Sequence, residues 1–186
     1  MDVHHLGRRI CEEIADVLSA VDERSAERLI EAVLAARRVF LAGLGRSGWV
    51  ARCLAMRLMH LDRTVHVVGD ATTPKIERDD LLLVCSGSGE TPTILGVLDA
   101  ARRVGATVAV VTACPDSTAA RQANLVVHLP APTPKARQAS GSVSIQPMGS
   151  LFEQSLLVFG DALVMRLADR LGQNHQDMWQ RHANLE

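Results

Sequence analysis

Five short apolar runs constrain this chain more than any other feature. They are Val39-Phe40-Leu41-Ala42, Thr64 to Val68, Leu81 to Cys85, Thr107 to Val111 and Leu125 to Leu129. Each is apolar at successive positions instead of alternating, as double burial in a sheet requires. Between them lie stretches whose apolar residues recur three and four apart, the spacing of a helix face. Strands alternating with helices specify a parallel sheet covered on both faces, with right-handed crossovers. The fold expected is α/β, a five-stranded parallel sheet of order 2-1-3-4-5 flanked by helices.

The rest of the chain hangs on that sheet, and residues 1–186 read as a single domain. Residues 1–37 carry two helices. The first presents Leu6, Ile10, Ile14, Val17 and Leu18. The second is capped by Asp22 or Ser25 and presents Leu29, Ile30, Val33 and Leu34. Residues 38–129 hold the sheet, with a short helix beginning at Pro115-Asp116. Residues 130–149 are rich in Pro, Ala, Ser, Thr and Gln. A loop that long acts as a lid over a site or as a plain linker. From Ser150 to about Leu171 a helix is apolar on nearly all sides, which marks it as central. The tail from Asn174 to Glu186 is polar and helical in part.

Composition narrows the function. A net charge of -1 removes the electrostatic case for nucleic acid or an anionic membrane. Three Phe, two Trp and no Tyr leave little aromatic surface for stacking bases. No apolar run reaches membrane-spanning length, and Met1 to Arg9 does not read as a signal peptide. Cys11, Cys53, Cys85 and Cys114 lie far apart in apolar settings, as small core residues of a protein from a reducing cytoplasm do. His4, His5, His66, His128 and His175 show no paired spacing for a metal.

Two loops carry the chemistry. The third run ends in Ser86-Gly87-Ser88-Gly89-Glu90-Thr91-Pro92, and a helical pattern follows. Glycines allow a sharp turn and close approach of backbone to ligand, and Pro92 suits a first helical position. Ser86, Ser88 and Thr91 add hydroxyls beside the free N–H groups of a helix start, an arrangement suited to phosphate. Thr91 acting as a simple N-cap is the plainer alternative. The first run ends in Gly43-Leu44-Gly45-Arg46-Ser47-Gly48, which fits the G-x-G-x-x-G dinucleotide pattern, and Asp70 sits near the place for its acidic partner. Against a nicotinamide site stand Arg46 and Ser47, the second anion loop, and the lack of chain for a substrate domain. In the order 2-1-3-4-5 both loops follow neighbouring strands at the switch point, so they face one crevice. Ser47, Ser86, Ser88 and Thr91 are expected to hold one phosphate, with Arg46 in support. Asp70, Thr72 and Thr73 touch the sugar hydroxyls or merely shape a turn.

These residues resemble the sugar isomerase (SIS) domain family over most of the chain. The resemblance rests on both loops, on Ala55-Met56-Arg57-Leu58-Met59-His60-Leu61, on Pro147-Met148-Gly149-Ser150-Leu151-Phe152-Glu153, and on Arg181-His182-Ala183-Asn184-Leu185. It is strongest to the 6-phospho-3-hexuloisomerase subgroup. It implies interconversion of D-arabino-3-hexulose 6-phosphate and fructose 6-phosphate in ribulose monophosphate formaldehyde fixation. The binding loop it implies includes Gly87, Gly89 and Glu90. A non-catalytic sugar-phosphate sensor, another aldose–ketose phosphate isomerase and a small nicotinamide-binding protein are the rival readings.

Moving a carbonyl between neighbouring carbons through an enediol needs a base and an oxygen proton shuttle, but no redox cofactor and no metal. Glu153 is the only acid between Lys135 and Asp161. It is either that base or, within Ser150-x-x-Glu153, half of a capping box; the resemblance implies the base. It also implies that His182 reaches a neighbouring subunit's site, hence a homo-oligomer, dimer or tetramer, with a shared active site. His60, at the end of a helix, is a third candidate, although a histidine there also complements the helix dipole.

Overall fold

A computed structural model of the protein describes residues 2–132 and 144–185. The elements run α1 (Val3–Ser19), α2 (Glu23–Ala35), β1 (Val39–Gly43), α3 (Gly45–His60), β2 (Val65–Val67) and β3 (Leu81–Cys85). They continue with α4 (Pro92–Arg103), β4 (Thr107–Thr112), α5 (Thr118–Gln122), β5 (Leu125–His128), α6 (Ser150–Leu171) and α7 (His175–Trp179). All five expected strands form, and they pair in parallel in the order β2-β1-β3-β4-β5.

Double burial follows from the pleat. Val39, Leu41, Leu81, Leu83 and Cys85 face one way, into a core shared with α1, α2, α3 and α6. Phe40, Ala42, Leu82, Val84, Val108 and Val110 face the other way, against α4 and α5. Successive residues on a strand point to opposite faces, so only an unbroken apolar run fills both cores. β2 is shorter than its run because it lies at the edge; its three residues are only half buried and pair with β1 alone.

Local signals set most helix ends. Asp22, not Ser25, caps α2, its carboxylate accepting from Ser25 N at 2.8 Å. The short helix starts at Thr118, later than Pro115-Asp116, because Ser117 supplies the cap through Ala120 N. Gly172 closes α6 in the left-handed conformation.

Two expectations change. Cys11 and Cys53 are exposed, Cys114 is half-buried and only Cys85 is core, so the apolar setting of the first two did not carry them inside. Burial alone lifts the Cys85 thiol pKa to about 12. α6 buries Leu151, Phe152, Leu156, Phe159, Leu163 and Leu167, but leaves Leu157, Val158 and Met165 on the surface. α3, packed beside it, likewise exposes Trp49, Met56 and Met59. Of the segment expected as a loop, residues 133–143 lie outside the described residues, and 144–149 form a turn that enters α6.

At the opposite end of the sheet from the loops, Asp80 is fully buried. Its Oδ2 lies 2.6 Å from Arg38 Nη2 and accepts from Glu77 N at 2.8 Å. This carboxylate fixes the starts of β1 and β3.

Candidate active site

In the parallel register Gly43 lies opposite Cys85, so the loops leaving β1 and β3 start side by side. The first loop turns directly into α3. A Cβ on Gly48 would stand 2.7 Å from Gly43 O, so the helix start approaches the strand end more closely than any side chain permits. That approach brings Ser47 to the cavity wall.

The second loop lines the same cavity with Ser86, Ser88 and Thr91 and turns its carbonyls to a support; Ser86 Oγ accepts from Gly89 N at 3.2 Å and Ser88 Oγ from Glu90 N at 3.3 Å. Behind it, Gly87 O accepts from Ala113 N at 3.1 Å and from Thr112 Oγ1 at 3.2 Å, and Gly89 O accepts from Ala119 N at 3.0 Å. Gly89 has φ +62°, and a Cβ there would overlap the Ser117 side chain. In front, Thr91 stands at the N-cap position of α4 without making a side-chain cap, which leaves its hydroxyl to the cavity. The first-turn N–H groups of α4, with no intrahelical acceptors, add to the positive end of the helix there. One space of about 260 Å³ is bounded by Ser47, Ser86, Gly87, Ser88, Thr91 and Glu153. Leu44, Ile94, Met148 and Phe152 supply its apolar wall.

Glu153 comes from the first turn of α6. The capping box does not form. Gly149 holds the N-cap position, and Ser150 is buried inside the helix. The carboxylate instead meets Arg46, with Oε2 2.7 Å from Nε. Arg46 therefore reaches the crevice through Glu153 and does not itself line the wall.

Glu90 departs from the expected binding role. Its Oε1 accepts from Thr118 N at 2.7 Å, so it grips the start of α5 behind the loop. That backbone hydrogen bond, with the Thr118 side chain adding to it, holds the Glu90 carboxyl below its ordinary pKa. Asp70 is taken by Arg52 in a two-point pair at 2.6 and 3.2 Å, away from the cavity. Thr73 Oγ1 donates to Val67 O, which is turn chemistry, and Thr72 is exposed.

His60 and His182 meet each other, not the cavity. Their rings stack at 5.5 Å, and Trp179 covers His182 at 5.0 Å. Arg181 Nη1 fastens the tail by donating to His60 O at 3.1 Å. Burial, then Arg57 and His182, hold the His60 pKa below its ordinary value. His60 lies thirteen residues beyond Ser47 on α3, about 20 Å along the helix axis. Within one chain neither histidine joins the site.

Met148, Phe152 and Leu44 are lining residues that pattern reasoning passed over. Only the position of Met148 and Phe152 beside Glu153 hinted at them. Among the described residues no group of three or more His, Cys, Asp or Glu could hold a metal ion. The arrangement is chemically simple: hydroxyls and amides to hold an anion at one end, and a carboxylate to move a proton at the other.

A parallel sheet with a hydroxyl-rich loop and a helix start at its switch point defines an anion-binding α/β protein. The SIS domain family matches residues 33–158, and the chain belongs to that family. It is 38% identical to the 3-hexulose-6-phosphate isomerase of Bacillus subtilis (strain 168), covering 95% of each chain. It is 44% identical to the 3-hexulose-6-phosphate isomerase of Mycobacterium gastri over 94% of this chain and 87% of that one. A solved structure of a hypothetical protein from Methanococcus jannaschii, for which a molecular function of 3-hexulose-6-phosphate isomerase is inferred, superposes with a TM-score of 0.85. It is 31% identical over 98% of this chain and 99% of that one.

Proposed function

We propose that this protein is an isomerase that interconverts D-arabino-3-hexulose 6-phosphate and fructose 6-phosphate in ribulose monophosphate formaldehyde fixation. The observation that carries the reading is one cavity holding the two glycine-serine loops and the Glu153 carboxylate together. It is joined by the identity to two named 3-hexulose-6-phosphate isomerases over nearly the whole chain.

The phosphate sits on Ser47, Ser86, Ser88 and Thr91 and on the N–H groups at the start of α4. Glu153 removes the proton from C2, beside the C3 carbonyl, and the electrons form the C2–C3 enediol. Returning the proton to C3, while the proton of the C2 hydroxyl passes to the C3 oxygen, leaves the carbonyl on C2 and a hydroxyl on C3. The apolar wall of Leu44, Met148 and Phe152 keeps water from the enediol. Arg46, leaving Glu153, supports the phosphate.

The exposed apolar stripe of Trp49, Met56, Met59, Leu157, Val158 and Met165 supports assembly as a homo-oligomer, dimer or tetramer. In such an assembly His182, with His60 behind it, completes a neighbour's site as the oxygen proton shuttle. The sheet and its flanking helices act as one domain. We place the chemistry in the cytoplasm, where phosphorylated sugars are made and consumed. Among the described residues, no helix is long and apolar enough to cross a membrane.

The test couples consumption of 3-hexulose 6-phosphate to detection of fructose 6-phosphate, with no added metal. Turnover supports the isomerase. Binding without turnover sinks it in favour of a sensor.

A further inference from the structure

The cavity's apolar wall includes Met148, yet little apolar contact holds Met148 in place. It is 78% exposed and Ile145 is 45% exposed, so the turn at 144–149 has almost no buried hydrophobic anchor. Met148 also has φ +59°, a left-handed conformation that a side-chain-bearing residue adopts only when its surroundings impose it.

Just before Met148 in the chain, the turn is tied to a carboxylate on α1. Glu13 Oε2 accepts from Ser144 Oγ at 2.7 Å and from Gln146 Nε2 at 3.0 Å, while Oε1 accepts from Ile145 N at 2.8 Å. Ser144 Oγ in turn accepts from Gln146 N at 3.0 Å. One carboxylate thus takes up three donors from three consecutive residues more than 130 positions away. Beyond Gln146 the path to the cavity is short and stiff. Pro147 fixes its own φ, Pro147 O accepts from Ser150 N at 3.2 Å, and Gly149 O accepts from Glu153 N at 3.1 Å.

We propose that Glu13 is a positioning residue for the isomerisation: it holds the 144–146 strap, and through it the Met148–Gly149 turn that closes the cavity over Glu153. This rests on the reading of that cavity as the active site. Glu13 touches no substrate; it acts only through the strap. A loosened strap lets Met148 leave the wall and admits water beside Glu153, while the serine loop stays built. A displacement of about 1 Å at a reacting site costs up to about a hundredfold in rate.

The test uses the full chain and three variants: Glu13→Ala, Ser144→Ala and the pair together. Ser144→Ala removes a donor from the far side, so the proposal does not depend on how α1 tolerates substitution. The expected result is faster amide exchange at Ile145 and the 144–149 turn, and a kcat lowered by about tenfold or more. Competitive inhibition by inorganic phosphate should stay within about twofold of wild type, because the serine loop is untouched. The double variant should lose scarcely more than Glu13→Ala alone, since both break one tether.

Unchanged exchange at Ile145, or unchanged kcat when exchange quickens, overturns the proposal. So does a parallel loss of phosphate inhibition and melting temperature, which marks a general structural role. If wild type itself fails to convert the sugar, the isomerase reading falls separately. Exchange at Ile145 and the Kd for fructose 6-phosphate then still judge Glu13.

Discussion

The guanidinium of Arg46 lies with Nε 2.7 Å from Oε2 of Glu153, and it bridges the loop after β1 to the helix that closes the cavity. The Arg46 side chain is 61% exposed and that of Glu153 17%. The cation is therefore the partner free to move, and the carboxylate is the fixed one.

Glu153→Gln keeps the size and one acceptor oxygen of that fixed group and removes its charge and its ability to take a proton. Turnover should fall by about 10²–10⁴-fold, the range a positioned base contributes. Inhibition by inorganic phosphate should persist. Steady-state kinetics with and without phosphate check both, and near-normal kcat would remove Glu153 from the role.

Arg46→Ala leaves Glu153 without its cation and tests the proposed support of the phosphate. KM should rise by about tenfold, with a smaller change in kcat. Arg46→Lys should recover only part of the loss, because an ammonium does not reproduce the planar guanidinium fork. A full rescue by lysine would show that charge alone matters.

Glu90→Ala tests the support behind the serine loop. The loss of the Thr118 bond should weaken phosphate inhibition without creating a new limb in the pH–rate profile, since Glu90 touches the loop's back. If Glu90→Ala abolishes kcat and leaves phosphate inhibition intact, Glu90 faces the sugar after all.

Asp80→Asn tests the far end of the sheet. Burial pushes the Asp80 carboxyl pKa up, but hydrogen bonds from Arg38, Glu77 N and Arg37 outweigh it and hold the pKa below its ordinary value. The stability this group contributes is complete above the ordinary aspartate pKa of about 3.9. It drains away as pH falls from there through the depressed folded value. Breaking a buried pair costs about 3–5 kcal/mol. Urea unfolding should show Asp80→Asn much weakened at pH 7, and the gap to wild type should narrow in acid. The folded variant should keep its KM, because Asp80 lies at the opposite end of the strands from the cavity.

Met56→Glu places a charge in the exposed stripe of α3. Sedimentation should show smaller particles than wild type. If His182 completes a neighbour's site, kcat should fall with assembly, although Met56 is remote from the cavity. A variant that dissociates and stays fully active would confine the site to one chain.

Much of this was legible in one dimension. A short apolar run bounded by turn residues fits a strand buried on both faces, and the long apolar stretch from Ser150 fits a helix by its length. That logic reached all five strands, and the order expected for an open α/β sheet brought the two loops to one crevice. It also reached Glu153, since an acid isolated in an apolar helix start is conspicuous. Orientation was beyond it. Ser150-x-x-Glu153 reads equally well as a cap or as a free carboxylate. The choice fell to Gly149 taking the N-cap position and Arg46 lying within reach.

The sequence determined which segments are strands and helices and which loops could bind an anion, because those properties depend on neighbours a few residues away. Tertiary structure alone decided that Glu90 turns back to Thr118, that His60 and His182 stack about 20 Å along α3 from Ser47, and that Glu13 clasps residues 144–146. A side chain's direction depends on donors and rings brought close by folding, over separations that no local pattern records.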